Sequence, residues 1–217
     1  MSELIVRASE VKNLMVLPRL KKELLSETTK TWLKTKAKEQ FYGYKSFKGN
    51  KYTQKGIMCE NEATELLSEY LYLNPTKLTQ NKERVTHKGF SGECDVIDDD
   101  LIIDTKCPWS IDTFPAFTED ADKEMKKAGY DWQQKVYLRL FQKERAQIAY
   151  VLVNTPDELL TDWDDRELHN FNNLTVGQSI TLSSEIVLTD KDIELMDSQY
   201  ALANKYYKQL MEELQNK

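Results

Sequence analysis

Fifteen residues, Gly92 to Lys106, constrain this chain more than any other stretch. They read Gly92-Glu93-Cys94-Asp95-Val96-Ile97-Asp98-Asp99-Asp100-Leu101-Ile102-Ile103-Asp104-Thr105-Lys106. Val96-Ile97 closes one short apolar run, and Leu101-Ile102-Ile103 opens a second, rich in β-branched residues. Between them Asp98-Asp99-Asp100 is a polar turn that no buried strand would hold, so the stretch reads as a β-hairpin. Side chains alternate along a strand, so Asp104 and Lys106 share one face and Thr105 takes the other. The hairpin can bring Asp95 across to Asp104. Two carboxylates and an ammonium then share one small site.

That grouping has a chemical use. Two close carboxylates repel unless a cation sits between them, and hard oxygen donors suit Mg²⁺ or Mn²⁺. A neighbouring lysine can orient or deprotonate an attacking water and offset charge on a phosphorane-like transition state. These are the parts of metal-assisted phosphodiester hydrolysis. A surface hairpin with solvated acids would show the same Asp104-Thr105-Lys106. The upstream Asp95, the apolar strand between, and Cys107-Pro108 after Lys106 favour the site.

The residues just quoted resemble the core of the PD-(D/E)xK nucleases, and within them the branch of lambda exonuclease and the YqaJ-type viral recombination nucleases. The shared pattern is a glycine-containing approach to a first Asp, a short hairpin, then acid-x-Lys-Cys-Pro. The second acid of that branch is usually Glu; here it is Asp104, which the superfamily motif permits. The resemblance implies an α/β fold with a restriction-endonuclease-like core, a mixed central sheet flanked by helices, as a single nuclease domain over residues 1–217. It implies that Asp95, Asp104 and the Thr105 carbonyl hold Mg²⁺ or Mn²⁺, and that Lys106 positions or activates water.

Three helical stretches extend the resemblance. Gly56 to Leu71 carries Ile57, Ala63, Leu66, Leu67 and Tyr70 at helical spacing. Its Gly-Glu-Ala form is similar to the helix preceding the nuclease sheet, which implies that Glu60 points into the metal site, while Glu62 and Glu65 face solvent. Tyr130 to Phe141 is a second helix, with Trp132, Val136 and Leu140 on one side. Gln133 and Tyr137, four apart, share a face. With Tyr130 three residues before the Gln, this resembles the branch's Gln-x-x-x-Tyr helix and implies that Gln133 and Tyr137 meet substrate. Gln134 is the next candidate, one residue along. Near the start, Val6-Arg7-Ala8-Ser9-Glu10-Val11 is similar to the branch's T-A-S-E-V helix start. Ser9 reads as an N-cap, and the resemblance places Ser9 and Arg7 by a terminal 5′-phosphate. The chain departs from the pattern here: Arg7 takes the place of the Thr, and no Arg lies further upstream.

Composition sets limits on the class. Three cysteines, Cys59, Cys94 and Cys107, suit a reducing compartment and are too few for a four-cysteine iron–sulfur cluster. That sets aside the cluster-bearing nucleases of CRISPR adaptation. No apolar run approaches a membrane span, and Met1-Ser2-Glu3 does not start a signal peptide, so the expected location is the cytoplasm of a bacterial or phage-infected cell. A net charge of −6 looks wrong for a DNA binder. From Arg19 to Lys55, however, eleven basic residues face three acidic ones, giving +8 and leaving about −14 elsewhere. Phosphate binding would explain such an asymmetry, as would a solvated lysine-rich helix face.

The remaining chain reads as follows. Lys21 to Gln40 is a helix with Leu24, Leu25, Trp32 and Leu33 on its apolar side. Phe41 to Lys55, with rings between lysines, is either an arm over DNA or a loop anchored by its rings. An edge strand lies around Val85, with His87 in it. Trp109 and Phe114 are core or lid residues, with packing on nucleic acid as the alternative. Thr118 to Lys127 is helical, and Ala146 to Val153 is a buried strand. Residues 157–173 form an acidic loop without a site. Ile180 to Leu188 is one short strand. Thr189-Asp190-Lys191-Asp192 caps a final helix, Ile193 to Gln215, packed on the sheet or on another subunit. The resemblance implies a 5′→3′ DNA exonuclease of phage-type recombination or repair, a ring-shaped homo-oligomer, and a single-strand annealing protein as partner. An endonuclease on the same core and a non-catalytic nucleic-acid-binding protein stay open at this point.

Overall fold

Alternating apolar runs and amphipathic stretches give an α/β architecture, described by a computed structural model over residues 3–20 and 22–216. In chain order a two-residue strand β1 (Val6–Arg7) leads through a 3-10 turn, Ala8–Glu10, into the one-turn helix α1 (Val11–Leu14). Helices α2 (Glu27–Tyr42) and α3 (Lys51–Tyr72) follow, then strands β2 (Val85–His87), β3 (Phe90–Gly92), β4 (Val96–Asp98) and β5 (Leu101–Lys106). Helices α4 (Thr118–Ala128) and α5 (Tyr130–Phe141) cross to β6 (Arg145–Val151). Strands β7 (Ile180–Leu182) and β8 (Ile186–Val187) precede the closing helix α6 (Asp190–Gln215). Among the described residues no helix is long and apolar enough to cross a membrane.

The expected mixed sheet has the order β4-β5-β6-β7, with β8 also on β6. Strand β5 runs antiparallel to β4 and parallel to β6. A second, three-stranded sheet β1-β3-β2 stands apart from it. The hairpin pairs Val96 with Ile103, Ile97 with Ile102 and Asp98 with Leu101. Its two-residue loop has Asp99 at φ +51°, a conformation Asp tolerates better than most residues.

Alternation along the strands sends side chains into two cores. Ile102 and Ile148 face α5 and α6 with Val136, Leu138 and Met196. Their neighbours Ile103, Ala149 and Val151 face α3 with Ala63 and Leu67. Each of the larger buried side chains here, Ile, Val, Leu or Met, contributes about 1.5–3 kcal/mol. Ala63 is fully buried, as expected for a helix lying close on a sheet. Gly92 serves the opposite face. A Cβ there would stand 2.7 Å from Tyr137 Cε1 and 2.9 Å from its Cδ1.

Several expectations are corrected. Helix α2 starts at Glu27, because Ser26 caps it by accepting a hydrogen bond from the Thr29 amide at 3.1 Å. Leu24 precedes the helix and is 70% exposed; Lys21 lies outside the described residues. Ser9 caps nothing: pairing of β1 with β3 holds the chain extended through Arg7, and Ser9 falls inside a 3-10 turn. Residues 51–55 are the first turn and a half of α3, capped by Asn50, and not a loop. The rings of Tyr42, Tyr44 and Phe47 are exposed, Tyr42 lying edge-on to Phe41 at 4.9 Å. The stretch 180–188 is two strands, since Ser183 turns its hydroxyl back to accept from the Ile148 amide at 3.0 Å. Helix α6 begins at Asp190, with Thr189 and Asp192 closing a capping box, and packs against α2.

Candidate active site

The site lies where β5 and β6 both end, the usual ligand crevice of parallel strands. Asp104 shares the face of Ile102 and so points toward α5; Thr105 points toward α3. Asp104 is 1% exposed and contacts the Lys106 ammonium directly. The Gln133 amide donates to Asp104 Oδ1 at 3.5 Å and to the Tyr137 hydroxyl at 2.9 Å. The ladder register, continued by one residue, sets Asp95 opposite Asp104. Asp95 Oδ2 accepts from the Thr105 amide at 2.7 Å and from its hydroxyl at 2.9 Å. A strand residue's amide and carbonyl point the same way, so the Thr105 carbonyl also faces Asp95. The Lys106 ammonium reaches that carbonyl at 3.3 Å and lies 4.9 Å from the Tyr130 ring centroid.

Electrostatics follow from this packing. Burial, and after it the Asp95 charge, holds the Asp104 carboxyl well above the usual range, against the pull of Lys106. Burial alone would lower Lys106, yet Asp104 and then Asp95 outweigh it and keep the ammonium charged. Burial and Asp95 also raise Glu60, which looks into the same cleft from α3. The site is thus short of positive charge. Two carboxylates and a peptide carbonyl form a hard-oxygen set that fits Mg²⁺ or Mn²⁺. Among the described residues no three acidic, His or Cys side chains converge tightly enough to enclose an ion.

The cleft has a volume of about 830 Å³ and takes in Ser9, Glu60, Asp95, Thr105, Lys106 and Gln133. Two proposed substrate contacts fall outside it. Arg7 is exposed and lines a separate hollow with Lys36, Tyr44 and Lys45, because its neighbours Val6 and Ala8 turn inward. Tyr137 is 5% exposed and spends its hydroxyl on Gln133, so it braces that side chain instead of touching substrate. Gln134 is fully buried near Asp104. Its amide favours the ionised form of Asp104.

Two contributors, Lys12 and His169, were not read from the sequence, and a third, Trp109, was. Lys12 enters the cleft beside Ser9. Trp109 forms a wall, edge-on to Tyr52 at 5.2 Å and to His169 at 5.1 Å, with the Lys51 ammonium 4.4 Å over its ring. His169, in the stretch read as siteless, is 5% exposed and donates from Nδ1 to the Trp109 carbonyl at 2.9 Å. The basic segment is also partly spent internally. Lys30, Lys36 and Lys51 pair with Glu27, Glu10 and Asp164. Among the described residues Lys34, Lys38, Lys45 and Lys48 are exposed and make no ion pair.

No protein-family model matches the chain, and no curated protein matches it. Solved structures do. A phage-related exonuclease from Haemophilus somnus 129PT is 34% identical, with 98% of this chain and 97% of that chain covered and a TM-score of 0.90. An alkaline exonuclease from Laribacter hongkongensis is similar in fold at 14% identity, covering 98% and 92%, with a TM-score of 0.61. The same enzyme in complex with dAMP gives 15% identity over the same shares and a TM-score of 0.62. Full-length agreement with the first, together with the acid-x-lysine hairpin, decides the matter: the chain belongs to the phage-type exonucleases of the PD-(D/E)xK superfamily, the lambda-exonuclease-like and YqaJ-type branch.

Proposed function

We propose that this protein hydrolyses DNA phosphodiesters from a 5′ end with the help of Mg²⁺ or Mn²⁺, in phage-type recombination or repair. The observation that carries the reading is the buried Asp104 held between Lys106 and Gln133 at the open end of β5. Asp95, Asp104 and the Thr105 carbonyl would hold the cation, with Glu60 on the facing helix. When bound, such an ion supplies charge stabilisation at the scissile phosphate and a more acidic water.

The chain's own groups carry the remaining work. Asp95 is oriented by two bonds from Thr105, so it cannot swing away from the strand end. Lys106, kept protonated by Asp104 and Asp95, offers its ammonium to the water or to the developing phosphorane charge. Gln133, braced by Tyr137, presents its amide to the phosphate or the water. Trp109 and Tyr130 wall the cleft. Ser9 and Lys12 provide a hydroxyl and a cation at the cleft edge for a terminal phosphate. DNA is the proposed substrate; a single-strand annealing protein and a second copy of this chain are the proposed partners, and residues 1–217 are proposed as one nuclease domain.

The test is end-labelled linear duplex with Mg²⁺, bearing 5′-phosphate or 5′-hydroxyl, beside closed circular duplex. Release of 5′-terminal nucleotides from the phosphorylated duplex, with the circle intact, is expected. Cleavage of the circle would show an endonuclease instead, and no cleavage of any DNA would remove the nuclease reading.

A further inference from the structure

Lys55 is a buried cation that the proposed chemistry does not use. It lies on α3, five residues before Glu60, with 0% exposure. Its ammonium donates to the Pro108 carbonyl at 2.6 Å, the Trp109 carbonyl at 3.1 Å and the Thr155 hydroxyl at 2.9 Å. The Phe171 ring centroid lies 5.6 Å away. All three hydrogens of the ammonium therefore have partners, and all three partners are neutral. Burial without a carboxylate partner pulls its pKa below the ordinary lysine value.

The arrangement is costly for packing alone. A buried charge is tolerated only when it is well bonded, and a methionine would fill the same space without that penalty. What methionine cannot do is tie three separate chain segments at one atom. Pro108 and Trp109 are the turn that leaves β5 just after Lys106. Thr155 follows the end of β6, and its hydroxyl donates in turn to the Trp109 carbonyl at 3.0 Å. One helical turn on, the Cys59 thiol reaches the Asn154 carbonyl at 3.7 Å. The knot thus joins the Glu60 helix to the exits of both parallel strands.

We propose that Lys55 is a positioning residue, which fixes the exit of the Asp104-Thr105-Lys106 strand at a set distance from Glu60. The inference rests on the functional reading above. It makes the spacing of the facing acids depend on a group outside the cleft.

Lys55→Met tests it in the full-length protein. Wild type and variant are compared by amide hydrogen exchange without metal, by Mn²⁺ binding from the free-ion EPR signal, and by steady-state cleavage of 5′-phosphorylated duplex. Faster exchange over residues 106–110 and weaker Mn²⁺ binding are expected, with kcat down by about tenfold or more and KM within about twofold, since small misplacements of reacting groups are costly. A folded Lys55→Met with wild-type exchange, Mn²⁺ affinity and kcat overturns the proposal. So does a variant that only melts earlier. Should Lys55→Met not fold, Thr155→Val removes one of the three tethers and must show the same changes in smaller degree; wild-type values there overturn the proposal equally. An inactive wild type would strike the nuclease reading, and exchange and Mn²⁺ binding would still decide the role of Lys55.

Discussion

Replacing Gly92 with alanine adds one methyl where α5 packs on β3. The residue sits in a strand at an ordinary φ, so backbone strain plays no part and the cost is steric. The new Cβ would stand 2.7 Å from Tyr137 Cε1, 2.9 Å from Cδ1 and 3.1 Å from Leu140 Cδ1, against an ordinary lower limit of 3.4 Å. The ring must therefore recede by about 0.7 Å (3.4 less 2.7). It has little room, being 5% exposed and bonded at its hydroxyl to Gln133. Overpacking of this kind costs about 1–3 kcal/mol. For a chain of this length each kcal/mol lowers Tm by about 2–4 °C. Thermal unfolding should thus show Tm reduced by about 4–8 °C at the middle of that range. The displaced ring also shifts its bond to Gln133. Cleavage measured well below the melting transition should lose kcat by about tenfold, while binding of 5′-phosphorylated duplex holds. A Gly92→Ala protein with unchanged Tm and unchanged kcat would refute the claim that this glycine exists to seat Tyr137.

Asp104→Ala and Lys106→Ala should each lower Mg²⁺-dependent cleavage by at least about a hundredfold and leave the circular-dichroism spectrum unchanged; wild-type activity in either sinks the assignment. Lys106→Met leaves Asp104 buried without its cation, so added Mn²⁺ should raise the Tm of this variant more than that of the wild type, and an equal rise would count against a shared site. Asp104 keeps its proton into a range where an ordinary aspartate, near about 3.9, is ionised. Metal must displace that proton, so calorimetry in buffers of different ionisation enthalpy should show affinity weakening as pH is lowered and proton release on binding; binding without release refutes it. Without metal the folded state holds the extra proton, so the same group makes stability fall as pH rises through its raised value. Ser26→Ala should lower stability by about 1 kcal/mol in urea unfolding without altering cleavage.

The hairpin was legible because everything that specifies it is local. Three aspartates, two apolar runs and a period of two determine the turn, the register and the face shared by Asp104 and Lys106. Helix α5 was legible through its spacing, and with it the pairing of Gln133 with Tyr137. What Tyr137 does was not, because its burial depends on Gly92, forty-five residues away. Ser9 misled for a related reason: pairing across to Phe90 and Ser91 overrode its capping preference. The start of α2 carried its own signal in Ser26-Glu27-Thr28-Thr29, which the leucines before it obscured. The bonds of Lys55 to Pro108 and Thr155, and of His169 to Trp109, each join residues more than fifty apart, and no pattern in one segment announces them.

The parallel pairing of β5 with β6 also bears on how the protein is made. A hairpin can close as soon as it leaves the ribosome, but a parallel partner must wait for its crossover. Here that crossover, residues 107–144, contains α4 and α5 and therefore Gln133 and the far wall of the cleft. Gln133 and that wall can settle on the paired acids only once β6, ending at Val151, has been made.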